Sequence, residues 1–296
     1  MSQPDFTIIV PHYNIPDLLM RCLRSIPVRE DIQVIVVDDC SPGATSYLEK
    51  YPDLSRPYLE FYSTPRGGSA GRARNIGVEH ARGRWLSFVD ADDLLPDDIS
   101  ETFAQMRDCE EELIIMDYRQ AMTHDLSVES NRAPWYHDFL MQYLKDGDPS
   151  KLRYLFDPMW GKLVKRELVE REHLRFDETR WGNDCYFSIS AGVLAQSVRV
   201  YPHVGYILTQ REGSLADNYC GTIDEMTVRT NIALRVKRLL IDHQVSLRYS
   251  PVGRIDGVMR QHYGYLQRIS IAFRLWRHPR FALHLLLSPR PLKVVK

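Results

Sequence analysis

Residues Arg84–Asp93 read RWLSFVDADD. Trp85 to Val89 is a nearly unbroken apolar run, the composition of a strand covered on both faces. It stops in three carboxylates, Asp90, Asp92 and Asp93, followed by Leu94-Leu95-Pro96. In an extended segment, residues i and i+2 project to the same side. Asp90 and Asp92 are therefore expected to reach one small volume at the carboxyl end of a buried strand, where open α/β sheets bind ligands. Two close carboxylates repel each other, and a divalent cation with a preference for hard oxygens relieves the repulsion. The plainer reading is an acidic turn leading into a helix at Pro96-Asp97-Asp98. The tripeptide by itself leaves both readings open.

Outward from this stretch, strands and helices alternate. Thr7-Ile8-Ile9-Val10 is a β-branched run ended by Pro11, and a helix with an apolar stripe at Leu18, Leu19, Cys22, Leu23 and Ile26 is expected from Pro16. Val34–Val37 runs into Asp38-Asp39-Cys40-Ser41, and Tyr58–Tyr62 is a third extended stretch. Gly67-Gly68-Ser69-Ala70-Gly71 opens a helix to about His80, and Leu113–Met116 is a further strand. Short polar links between such units predict a mostly parallel, doubly wound α/β sheet flanked by helices. The Gly-rich turn has neither P-loop nor dinucleotide spacing. It reads as a flexible turn, or as a helix start whose N–H groups and Arg72, Arg74 and Asn75 hold a diphosphate or brace the acidic site.

The 296 residues are 44% hydrophobic and 26% charged, enough apolar material for a sizeable core in a soluble globular protein. Five scattered cysteines without CxxC spacing argue against a disulfide framework or a zinc site and lead us to expect a cytoplasmic protein. Phe281 to Pro289 is too short an apolar run to cross a membrane, which takes roughly 20 residues. The net charge of −1 hides an asymmetry: from Ser246 onward ten Lys and Arg face the single acid Asp256. A basic tail of this kind meets something anionic or forms a solvated helix face.

Four motifs now occur in order. They are Pro11-His12-Tyr13-Asn14, Val36-Val37-Asp38-Asp39-Cys40-Ser41, Ala73-Arg74-Asn75-Ile76-Gly77 and Phe88-Val89-Asp90-Ala91-Asp92-Asp93. Together they resemble the nucleotide-binding half of a family 2 glycosyltransferase of the GT-A fold. The resemblance implies a nucleotide-sugar donor, UDP-linked, held by Pro11, Tyr13, Asn14, Asp38, Asp39, Arg74, Asp90 and Arg211. It also implies Mn2+ or Mg2+ on the donor diphosphate, with Asp92 as the direct ligand and Asp90 on the ribose, the metal or its water. Asp93 is expected to cap a helix, the alternative being support of the metal ligands from behind.

The second half carries a looser likeness. Met159-Trp160-Gly161-Lys162-Leu163-Val164-Lys165-Arg166-Glu167-Leu168 is similar to a block of bacterial members of the family; taken alone it is a helix start with a buried Trp. Trp181-Gly182-Asn183-Asp184 falls where the family has Glu-Asp, which implies Asp184 as the general base of an inverting transfer. The competing role is an N-cap for the helix that follows. Asn183 removes one negative charge beside that base. Arg211, in Tyr206–Leu215, resembles the segment that closes the family's active site; on its own it is a surface arginine. His203 and His262 are lone histidines with no catalytic pattern.

The expected layout is residues 1–118 for the nucleotide-sugar half, 119–220 for the acceptor half and 221–296 for a basic amphipathic helical region. The implied activity is transfer to a glycan or lipid-linked acceptor in bacterial surface polysaccharide or lipopolysaccharide synthesis. The alternative is an inactive nucleotide-sugar-binding scaffold of the same fold. The tail is expected to lie on anionic lipid at the inner face of the plasma membrane, or to pack on the domain or form a homodimer contact. No nucleic-acid module is recognisable, so nucleic acid is not an expected partner.

Overall fold

The computed structural model describes residues 3–42, 58–211, 222–245 and 265–275, with 279 and 282. Seven strands form one sheet: β1 (Phe6–His12), β2 (Ile32–Asp38), β3 (Leu59–Ser63), β4 (Trp85–Phe88), β5 (Leu113–Met122), β6 (Lys162–Lys165) and β7 (Val198–Gln210). Their spatial order is β3-β2-β1-β4-β6-β5-β7. β1, β2 and β3 pair in parallel, as do β1 with β4 and β5 with β7, whereas β6 runs antiparallel to both neighbours. The sheet is thus mostly parallel with one reversed strand. Every residue of β1, β2 and β4 is buried, as their continuous apolar composition requires when helices cover both faces.

Nine helices accompany the sheet among the described residues. α1 (Pro16–Ser25) begins with Pro at its first turn and buries Leu19, Met20, Cys22 and Leu23. α2 (Ala70–His80) is capped by Ser69, whose hydroxyl accepts the Arg72 N–H at 3.3 Å. Its Gly77 lies against β1, where a Cβ would come within 2.4 Å of Ile9 Cγ2. α3 (Ile99–Met106), α4 (Pro134–Asp146), α5 (Ser150–Tyr154) and α6 (Arg166–Arg171) follow. α7 (Cys185–Leu194) packs on α8 (Ile223–Asp242), and α8 on α9 (Tyr265–Arg274).

Two local expectations change. The block at 159–168 is a left-handed Gly161 (φ +68°) feeding strand β6 and only then helix α6, not a helix start. β5, expected over Leu113–Met116, extends through Met122, and β5, β6 and β7 join the sheet that β1 began.

Candidate active site

The parallel strands deliver their polar ends to one edge of the sheet. At the end of β1 the buried His12 accepts the Ile15 N–H at Nε2 (3.1 Å), which leaves its proton on Nδ1 to bond Asp38 Oδ1 at 2.8 Å. Asp38 Oδ2 accepts the Ser41 N–H at 2.7 Å, and Ser41 Oγ accepts the Asn14 N–H at 2.7 Å. Asp38 therefore ties the loops after β1 and β2 together. Asn14 and Cys40 both adopt left-handed backbone (φ +51° and +63°), the turns that this tie holds. Asp39 accepts Thr64 Oγ1–H at 2.8 Å and the Gly68 N–H at 3.0 Å, which joins β2 to the Gly-rich turn. Pro11 is buried, while Tyr13 is 58% exposed.

β4 ends at Phe88, and Asp90 to Asp93 form a turn closed by the Asp93 N–H on the Asp90 carbonyl at 2.9 Å. The alternation expected of an extended segment thus stops before the acids, and each carboxylate finds its own partner. Asp90 Oδ1 takes Arg74 Nη2 at 2.5 Å, and Asp92 Oδ2 faces Arg211 Nε at 3.2 Å. Asp93 is wholly buried, where it accepts the Tyr206 hydroxyl and the Thr209 N–H, each at 2.7 Å. It caps no helix: the residue before α3 is Asp98. Burial, then the neighbouring Asp92, raise the Asp93 carboxyl well above its ordinary range, with Arg132 opposing.

Arg74 links the acidic turn to the segment before α7. Its Nη1 donates to Asn183 Oδ1 at 2.6 Å while Nη2 holds Asp90, and its plane lies 5.5 Å from the Phe176 ring centre. Burial opposes charge on Arg74, but Asp90 and Asp184 outweigh it and keep the guanidinium protonated. Asp184 precedes α7 and makes no capping hydrogen bond with its side chain. Its Oδ2 accepts the Met159 N–H at 3.3 Å. Burial raises the Asp184 carboxyl, Arg74 pulls it down, and Asp90 and Asp157 push it up further. Asn75 fixes the loop before Asn183: it donates to the Phe176 carbonyl (3.0 Å) and accepts the Phe176 N–H (2.9 Å). Gly71 makes this approach possible, since a Cβ there would lie 2.0 Å from the Asp177 carbonyl.

Four more residues contribute to the acidic turn. Arg21 donates to the Asp92 carbonyl (2.6 Å) and to the Thr123 carbonyl (2.7 Å). Arg132 donates to the Thr209 carbonyl (2.6 Å) and stands 3.9 Å from Asp93. Thr209 Oγ1 bonds the Asp92 carbonyl at 2.7 Å, and Tyr206 accepts the Asp90 N–H at 3.1 Å. They come from α1, the segment before α4 and β7; Tyr206 and Thr209 fall within the stretch Tyr206–Leu215 already singled out in the sequence, whereas no local pattern marks Arg21 and Arg132. His203 pairs with Asp98 on the surface; His262 lies outside the described residues.

Among the described residues no group of three His, Cys, Asp or Glu side chains converges as a metal cage. Asp90 and Asp92 supply two hard carboxylates, a donor set that suits a divalent cation whose remaining ligands are phosphates and water. It does not suit an all-protein site.

The strand order with its single reversed strand, and the acidic turn at the carboxyl edge of the parallel half, define the GT-A class of α/β fold. The chain belongs to glycosyl transferase family 2, whose profile matches residues 7–170. It is 31% identical over 222 residues to the succinoglycan biosynthesis protein ExoO of Rhizobium meliloti, covering 72% of this chain and 63% of that protein. It is 28% identical over 206 residues to the putative glycosyltransferase EpsH of Bacillus subtilis, covering 67% and 58%. It thus spans about three-fifths of the length of these relatives. Among solved structures, Staphylococcus aureus TarS 1–349 in complex with UDP-GlcNAc superposes with a TM-score of 0.61 at 18% identity, covering 95% of this chain and 89% of the other. The mannosyltransferase PcManGT of Pyrobaculum calidifontis, in complex with GDP-Man and Mn2+, gives 0.57 at 17% identity, covering 99% and 77%. Those identities speak to the fold.

Proposed function

We propose that this protein is an inverting glycosyltransferase that moves a sugar from a UDP-linked donor to a hydroxyl of a glycan or lipid-linked acceptor in bacterial surface-polysaccharide synthesis. One observation carries the reading: Arg74 joins Asp90 of the acidic turn to Asn183, next to an Asp184 that is partly buried, uncapped and raised in pKa. That arrangement sets an anion-binding side and a proton-accepting side a single residue apart.

In this reading the loops organised by Asp38 and Asp39 hold the nucleoside, with the exposed Tyr13 ring against the base. Asp92, with Asp90, would hold Mn2+ or Mg2+ together with the donor phosphates, and the ion would offset the negative charge that develops on the departing diphosphate. Arg74 and Arg211, now engaged by Asp90 and Asp92, supply further positive charge to the same anion. Asp184 takes the proton of the acceptor hydroxyl as its oxygen attacks the anomeric carbon from the face opposite the diphosphate. Its raised pKa makes it a better base than a solvated carboxylate.

The test is Asp184→Asn. Transfer should fall by roughly 10²–10⁴ while UDP binding in the presence of Mn2+ stays at the wild-type value. Wild-type turnover in this variant would refute the assignment, and tight UDP binding with no turnover in the wild type as well would favour the scaffold reading.

A further inference from the structure

Strand β6 carries Lys162 into the interior beside α7. Its side chain is 1% exposed, and Nζ donates to the Phe156 carbonyl and to Ser188 Oγ, each at 2.5 Å, while lying 4.5 Å from the Phe156 ring centre. Both of these hydrogen-bond partners are uncharged, one a carbonyl and the other a hydroxyl. An ammonium in such a place is costly, and an apolar side chain of similar length would fill the space without that cost. Burial pulls its pKa down to about 7 against the opposing charges of Asp157, Asp184 and Cys185.

The partners of Lys162 lead to the base. Ser188 lies one turn beyond Asp184, and its N–H donates to the Asp184 carbonyl at 2.9 Å. Its hydroxyl also approaches the Phe156 carbonyl (3.2 Å) and the Pro158 carbonyl (2.9 Å). The next residue, Met159, donates its N–H to Asp184 Oδ2. In the same segment Asp157 accepts the Tyr136 hydroxyl and faces the Cys185 thiol at 3.6 Å. The turn at 156–159 is therefore fastened to α7 mainly through Lys162 and Ser188.

We propose that Lys162 is a positioning residue for the Asp184 carboxylate: with Ser188 it pins residues 156–159 against the first turns of α7, so that the Met159 amide holds the carboxylate at one place over the cleft. The inference rests on Asp184 being the base.

Lys162→Met and Ser188→Ala in the full chain test it with three readouts. In 15N-methionine-labelled protein without donor, the Met159 amide reports the titration of Asp184. Thermal melting reports the fold. UDP release from a UDP-hexose that the wild type turns over reports kcat and donor KM. K162M should melt at or above the wild-type temperature, because Ser188 can still satisfy the Phe156 carbonyl. The Met159 response to pH should shrink, and kcat should fall by roughly 10- to 100-fold with donor KM unchanged. S188A should move the same two readouts in the same direction, by less.

A stably folded K162M with wild-type kcat overturns the proposal. So does a lowered melting temperature with an unchanged Met159 titration, the pattern of a purely structural lysine. If K162M fails to fold, S188A decides by the same criteria. Turnover retained by Asp184→Asn would refute the base assignment separately, without altering what the Met159 signal says about the clamp.

Discussion

At the scale of single residues, charge balance around Arg74 governs the site. Arg74 faces one carboxylate it touches (Asp90), one it senses (Asp184) and a neutral amide, Asn183. Asp184 is raised chiefly by burial, and as the proposed base it would act in its ionised form. Activity should therefore be present above the raised pKa and fall as pH drops through it, placing the acid limb of the kcat profile above the ordinary carboxylate value of about 4. Asn183→Asp keeps an acceptor for Arg74 but adds an anion beside the base, so the acid limb should move to still higher pH; a profile superimposable on the wild type would show that Arg74 absorbs the new charge. Asp92 differs in that its backbone carbonyl, not its carboxylate, anchors Arg21 and Thr209. Asp92→Ala should leave folding intact and weaken Mn2+-dependent UDP binding by at least about tenfold, near 1.4 kcal/mol, by calorimetry. Binding of UDP alone should change far less.

At the scale of elements, α2 is the part on which the cleft depends. It packs on β1 at Gly77, receives Asp39 through the Gly-rich turn, and holds the loop at 176–183 through Asn75 and the close contact at Gly71. Both Asn75 bonds are to buried backbone of Phe176, so Asn75→Ala leaves an N–H and a carbonyl without partners. A loss of about 2–4 kcal/mol in urea-unfolding stability is expected, together with reduced turnover, because Asn183 and Asp184 follow the same loop. Stability unchanged within about 0.5 kcal/mol would mean that water replaces the amide.

At the scale of the whole molecule, the packing of the C-terminal region and its proposed contact with lipid are separable. α9 buries Ile271 and Ala272, Leu275 just after it is buried too, and Arg274 pairs with Asp224 of α8, so part of this region belongs to the packed body. Arg277, Arg280, Arg290, Lys293 and Lys296, five of the ten basic residues behind the membrane expectation, lie outside the described residues. No helix among the described residues is long and apolar enough to cross a membrane. Removing everything after Ser250 would strip α9 from α8, so the cleaner experiment neutralises those five basic residues to Gln. With about 1 kcal/mol per basic residue near anionic lipid, association with phosphatidylserine-containing vesicles should drop by more than about a hundredfold in flotation, and equal flotation would exclude tail-driven membrane binding.

The first five strands and their mostly parallel class of sheet, the edge at which their acids emerge, and the pairs Asp38-Asp39 and Asp90-x-Asp92 were legible from apolar runs ending in carboxylates, because burial on both faces demands continuous hydrophobicity and leaves polar groups only at the tips. The reversal of β6, the buried anchoring of Asp93 and the charges supplied by Arg21, Arg132 and Lys162 were not. Each depends on partners tens to more than a hundred residues away: Asp93 on Tyr206 and Thr209, Arg21 on Asp92 and Thr123, Lys162 on Ser188. Local sequence determines which segments bury themselves and where they stop. Which charge then faces which is decided only when the chain closes, since electrostatic and hydrogen-bond energies depend on distances through space and not on spacing along the backbone.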